Sequence, residues 1–176
     1  MNYQSAIYSK YLSNEKMVAI VSDEALIEKM LKFETALART QQKLGIIPSS
    51  AAETIISVLD KTKIKPEDLA QGTLQDGIPV VALLAIIRDL LNEDSKVFLH
   101  YGATSQDALD TAQVIIASEA ISFLTAMLSD LQNNLEKLDN DYGLTRCMAR
   151  TRGQLAAPIT FGFRIKSWLQ PVHRQL

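Results

Sequence analysis

This sequence holds one cysteine, two histidines and no apolar run long enough to cross a bilayer, and each scarcity removes a class of protein. With Cys147 alone, no internal disulfide framework can form, and the chain suits a reducing compartment, so the cytoplasm is the expected location. His100 and His173 lie far apart, and there is no paired-cysteine or His-x-x-x-His spacing, so metal catalysis lacks ligands. Cys147, without a histidine nearby in sequence, reads as a packed thiol rather than a nucleophile. A Gly-rich phosphate loop is absent too, and neither a metal nor a cofactor is expected. The longest apolar run, Ile78 to Ile87, is interrupted by Pro79. It falls far short of the roughly 20 residues a membrane span needs, so no membrane partner is expected. The opening Met1-Asn2-Tyr3-Gln4-Ser5 lacks the charged-then-apolar layout of a secretory signal. Repeats, low-complexity segments and linkers are missing as well.

What is present fits a folded chain: 176 residues, 47% hydrophobic and 22% charged, enough for one sizeable core or for a small domain and the opening of a second. The net charge of −2 hides an asymmetry. All 20 acidic residues lie at or before Asp141, whereas Arg146, Arg150, Arg152, Arg164, Lys166 and Arg174 follow it. No aromatic interleaving or groove-reading motif accompanies this basic tract, so nucleic acid is not the expected partner. A small anionic ligand is the better reading, with solvated helix faces as the alternative.

Helical periodicity dominates. Residues 24–44 carry Leu26, Met30, Phe33, Leu37 and Leu44 on one stripe, with Asp23 and Glu24 at the positive end and Gly45 as the C-cap. Ser50-Ala-Ala-Glu53 reads as a capping box opening a second helix to about Leu59. Pro66 reads as the start of one short turn, and Pro79 opens an apolar helix to about Leu91. From Gln106 to about Asn140, Leu109, Ala112, Ile116, Phe123, Met127, Leu131, Leu135 and Leu138 recur at three and four residues, which predicts one helix about 50 Å long. An apolar stripe of that length needs comparable helices against it. Tyr142-Gly143 breaks the pattern, and Phe161, Ile165, Trp168, Leu169, Val172 and Leu176 begin another. No β-alternation of useful length is expected. The pattern stops at Leu176 without a cap, which reads as a fragment of a longer polypeptide.

Chemistry concentrates in two stretches. In His100-Tyr-Gly-Ala-Thr-Ser-Gln-Asp-Ala-Leu-Asp-Thr111, Gly102 permits a tight turn and Thr104 and Ser105 are preferred N-cap residues, so the long helix presents free N–H groups and its positive dipole end. That suits a carboxylate or phosphate. The competing reading makes Thr104-x-x-Asp107 a capping box, with Asp107 the cap because a carboxylate would repel an anionic ligand. His100, just before the helix, can donate a hydrogen bond or a proton, whereas His173 reads as structural or solvated. The second stretch, Met148 to Gly162, offers the planar forks of Arg150 and Arg152 and the amide of Gln154. By spacing alone it is a basic loop before a helix.

Together, Thr104-Ser105-Gln106-Asp107 and Arg150-Thr151-Arg152-Gly153-Gln154-Leu155-Ala156-Ala157-Pro158-Ile159-Thr160-Phe161-Gly162 resemble the two ordered motifs of the fumarase and aspartase superfamily. Met17 to Glu24, Phe33-Glu34 and Leu44-Gly45-Ile46-Ile47-Pro48 are similar to its N-terminal domain, so the resemblance covers nearly the whole chain. It implies an all-α fold: a small N-terminal helical domain over 1–103, then the first long helices of the central bundle over 104–176, in a homotetramer whose active sites draw on three subunits. It implies a small polycarboxylate substrate contacted by Thr104, Ser105, Gln106, Arg150, Thr151 and Gln154, with His100 and Arg152 in catalytic roles.

Lyases of the superfamily carry a histidine after Arg-Thr, where this chain has Arg152. They carry another in a Thr-Arg-His-Asp motif, and the corresponding Thr73-Leu-Gln-Asp-Gly-Ile-Pro79 has none. Both departures favour the carboxymuconate cycloisomerase branch, in which a carboxylate oxygen closes on a double bond to give a γ-lactone. An adenylosuccinate lyase-like elimination and a non-enzymatic helical assembly unit are the alternatives. The superfamily's Gly-Ser-Ser-x-Met-Pro-x-Lys-x-Asn loop, with the catalytic serine, has no match in these residues. The resemblance therefore implies that this chain alone is inactive.

Overall fold

A computed structural model describes residues 7–176, and the opening Met1 to Ser5 lies outside them. The helices are α1 (Ser9–Leu12), α2 (Glu15–Ile20), α3 (Asp23–Lys43), α4 (Ser49–Lys61), α5 (Pro66–Asp76), α6 (Pro79–Leu90), α7 (Glu93–Lys96), α8 (Ser105–Tyr142) and α9 (Phe161–His173). One hairpin, β1 (Arg146–Thr151) and β2 (Gln154–Thr160), stands between α8 and α9. The all-α class holds. The chain divides into two compact units, Met1–Ala120 and Ile121–Leu176, and α8 runs through the division.

In the first unit, α3, α4, α5 and α6 enclose a core in which Met30, Ile55, Val80, Leu83 and Ile87 are almost wholly buried. The first turns of α8 join it through Ala108 and Ala112. Lys29 of α3 reaches Glu119 of α8 at 3.0 Å, and this contact holds its ammonium above the usual lysine range. In the second unit a smaller core gathers Leu135 of α8 with Ile165 and Leu169 of α9, and Phe161 packs beside it.

Several local expectations need correction. The Ser50 capping box does not form: Pro48 is the N-cap of α4, and Ser50, already inside the helix, accepts from Thr54 Oγ1 through its carbonyl. Pro66 opens not one turn but an 11-residue helix, because Asp68 caps the backbone N–H of Lys65 at 2.9 Å and Leu69 is buried. On α3 the buried line is Ile27, Met30, Glu34, Ala38 and Gln41, while Leu44 is exposed. Counting apolar residues alone put the stripe off-centre, since two of the positions facing inward are polar.

The hairpin overturns the expectation of a loop without β structure. Its two-residue turn, Arg152-Gly153, has φ of 46° and 80°, both left-handed, as a type I′ turn requires. Glycine adopts this freely and arginine rarely does, so the usual Asn-Gly signal is missing. Pro158 in β2 lies on an edge, and the register shifts between Met148 and Arg150, which suits a bulged two-stranded ribbon.

α8 also revises the reading of apolar length. It is 38 residues long, and it is long and apolar enough, by length and composition, to cross a membrane. Ser and Thr interleave its apolar residues, so no unbroken run marks it.

Candidate active site

The His100 loop is built from below. Glu34 and Gln41 lie seven residues apart on α3, hence on one face two turns apart, and both are buried. Gln41 Nε2 donates to the carbonyl of Tyr101 at 2.6 Å, and His100 Nδ1 lies 2.6 Å from Glu34 Oε1. These contacts fix the loop before α8 in place. His100 has φ of 59° and Gly102 of 72°. The second is expected of glycine; the first costs a histidine on the order of 1 kcal/mol, and the side-chain anchor below it offsets that cost.

Electrostatically this is a tight pair. The side chains of His100 and Glu34 are 9% and 1% exposed. Burial pushes the Glu34 carboxyl above its usual range, and the charge and hydrogen bond of His100 and the charge of Arg88 on α6 pull the other way. The Phe33 ring tilts against the imidazole with centroids 6.5 Å apart. Among the described residues, His100 Nε2 and Gln41 Oε1 are the buried side-chain polar atoms without a hydrogen-bond partner.

At the mouth of α8, the N–H of Thr104 donates to Asp107 Oδ2 at 3.0 Å, so Asp107 is a cap. Thr104 is exposed and Ser105 half-buried, and the Gln106 amide is engaged by Asp110 one turn on. The remaining predicted site residues belong to the second unit. Thr151 pairs with Gln154 across the hairpin end, and Arg152 occupies its turn. Arg150 Nη1 donates to the Gly153 carbonyl at 3.3 Å, drawing its fork toward the turn. Arg150, Thr151, Arg152 and Gln154 are all exposed. Arg150 also lines a groove of about 510 Å³ with Phe163, Arg164 and Trp168. Among the described residues, no group of three or more His, Cys, Asp or Glu could hold a metal ion. Sequence reasoning missed Glu34 and Gln41 as parts of the site; the signal was two polar residues at helical spacing on the inward line of α3.

The family model described as "Lyase" matches residues 9–176. The chain belongs to that lyase family. It is 34% identical over 161 residues to adenylosuccinate lyase of Methanocaldococcus jannaschii, covering 92% of this chain and 35% of the relative. It is 35% identical over 179 residues to 3-carboxy-cis,cis-muconate cycloisomerase of Acinetobacter baylyi, covering 98% of this chain and 39% of that one. The crystal structure of 3-carboxy-cis,cis-muconate lactonizing enzyme from Pseudomonas putida superposes with a TM-score of 0.87 at 27% identity, over 97% of this chain and 40% of that chain. The chain thus spans a little over a third of the length of these relatives. Overall identity does not separate the two activities, which differ by one percentage point.

Proposed function

We propose that the protein to which this chain belongs is a cycloisomerase that closes one carboxylate of 3-carboxy-cis,cis-muconate onto a double bond, giving a carboxymuconolactone. The observation that carries this is Arg152 at the hairpin tip, exposed and left-handed, where the superfamily's lyases hold a histidine. A guanidinium keeps its proton at any working pH, so Arg152 supplies charge and cannot serve as the acid that releases a leaving group. Ring closure has no departing group to protonate: the carboxylate oxygen bonds to one alkene carbon, the π pair passes to its neighbour and onto the adjoining carboxylate, and a proton then adds at that neighbouring carbon. Its demand is stabilisation of charge building on a carboxylate in the transition state, and fixed cations and N–H dipoles provide that.

In this reading Thr104, Ser105 and the first N–H groups of α8 hold one carboxylate, with Gln106 at its rim. Arg150, Thr151 and Gln154 hold another, Arg152 faces the developing charge, and His100 donates through Nε2. The protein works as a homotetramer in the cytoplasm, with the walls of each site drawn from different subunits. An elimination of the adenylosuccinate type is the second reading, favoured by the 34% identity to that lyase.

The test is turnover by the full-length protein. Loss of the ultraviolet absorbance of 3-carboxymuconate with appearance of lactone is expected; cleavage of adenylosuccinate without lactone would establish the second reading instead. Arg152→Met should lower kcat by about 100-fold, the usual effect of losing one preorganised charge-stabilising group. Unchanged turnover would remove Arg152 from the mechanism. The 176-residue chain by itself should form no lactone, because the serine loop has no match in its sequence.

A further inference from the structure

The Glu34–His100 pair has a geometry whose consequence reaches past the family reaction. A carboxylate 2.6 Å from Nδ1 accepts a hydrogen bond from that nitrogen and so keeps the ring's one hydrogen there, leaving a neutral His100 ring with a bare Nε2. That nitrogen is buried and, among the described residues, unpartnered, which is costly unless something meets it in the working protein. An anionic group can be met only by an Nε2 that carries hydrogen. With the one hydrogen of the pair committed to the Nδ1–Glu34 contact, that requires a second proton on the pair, whether the contact is then a ring N–H to a carboxylate or a carboxyl O–H to Nδ1.

We propose that Glu34 is a positioning residue that locks the Nδ1 hydrogen of His100 and thereby couples the binding of an anionic ligand at Nε2 to the uptake of one proton. This rests on the reading of the α8 mouth as a carboxylate site. The proton balance is simple: before binding the pair holds one hydrogen, on Nδ1, and carries one negative charge; after binding it holds two and is neutral. The charged groups acting on Glu34 are His100 from the loop and Arg88 from α6. Burial already disfavours the bare Glu34 carboxylate, which works in the same direction. The cost of a left-handed histidine at 100 fits a ring whose exact placement matters.

If Glu34 is removed, the ring is free to carry its hydrogen on Nε2 while neutral, and the anion needs no added proton. The experiment is calorimetric titration of the full-length protein with the tricarboxylate tricarballylate in buffers of different ionisation enthalpy, which counts protons taken up. Across a pH series the wild type should take up protons with the ligand, approaching one per ligand at the alkaline end, with affinity falling by up to about tenfold per pH unit there. Glu34→Gln, and Glu34→Leu where it folds, should take up none and lose the pH dependence, and Glu34→Asp should retain both. A merely structural role would weaken binding without changing the proton count. Equal counts in wild type and Glu34→Gln would overturn the proposal, as would a wild-type count of zero.

A second readout does not depend on ligand. In ring-¹⁵N-histidine-labelled full-length protein, with the His100 signals assigned by their loss in His100→Gln, Nδ1 of His100 should carry a strongly deshielded hydrogen that disappears in Glu34→Gln. Its absence from the wild type overturns the proposal. If that hydrogen is present while tricarballylate fails to bind, the coupling is overturned together with the carboxylate-site reading. If tricarballylate binds without proton uptake, the carboxylate site stands and the coupling alone fails.

Discussion

At the scale of the residue, Glu34 shows how a single buried carboxyl can be costly to the fold and useful to a site. Isolated carboxylates are excluded from cores, and one persists here because His100 meets it and Arg88 lies near. Its carboxyl sits above the ordinary value of 4.5, so the folded chain binds a proton there more tightly than the unfolded chain does. The stabilising contribution of that proton is complete below the unfolded value and is lost as pH rises through the raised folded value. Glu34→Gln removes this dependence. Its stability relative to wild type should therefore rise as pH increases above the ordinary value of 4.5 in urea denaturation, and a pH-independent difference would show that Glu34 does not titrate across folding.

At the scale of the element, Gly162 fixes how α9 meets the end of α8. A methyl group there would clash with Asp139 Oδ1 and lie 2.9 Å from the carbonyl oxygen of Gly143, and the latter is backbone that accepts the N–H of Gly162. Gly162→Ala should cost about 1–3 kcal/mol through overpacking, read as a lower melting temperature, while Gly153→Ala should cost about 1 kcal/mol through its positive φ alone. The long helices were legible in the sequence because the 3.6-residue period of apolar side chains is set by burial itself. The hairpin was not, because its turn is Arg-Gly and its second strand contains Ala156, Ala157 and Pro158, which carry no alternation. The entrance to α8 was legible through Gly102 and the Thr104-x-x-Asp107 spacing, half of which the structure realises as a cap. Glu34 and Gln41 were not, since periodicity counts apolar residues, and the partners of this pair stand some sixty residues further along the chain.

At the scale of the whole molecule, α8 is about 57 Å of helix, and much of its apolar surface has no cover from its own chain. Ile121, Leu124, Leu131 and Leu138 are exposed, and the steps of three and seven between them keep to one seam of a 3.5-residue repeat. Met127 beside them is 46% exposed. Each such side chain stabilises by roughly 1.5–3 kcal/mol when fully buried, so a seam of four or five is worth far more against another helix than in water. The same composition would suit lipid, but charges at Glu119 and Asp130 interrupt the helix on its way through these positions, and a bilayer core penalises them. A second copy of α8 would meet the seam without that penalty. Sedimentation should therefore find the chain self-associated at micromolar concentration, and Leu124→Lys with Leu131→Lys should shift it to monomer with its helical circular dichroism unchanged. A wild-type chain that stays monomeric would sink the bundle assignment, and one that floats with phosphatidylcholine vesicles would assign the seam to a membrane instead.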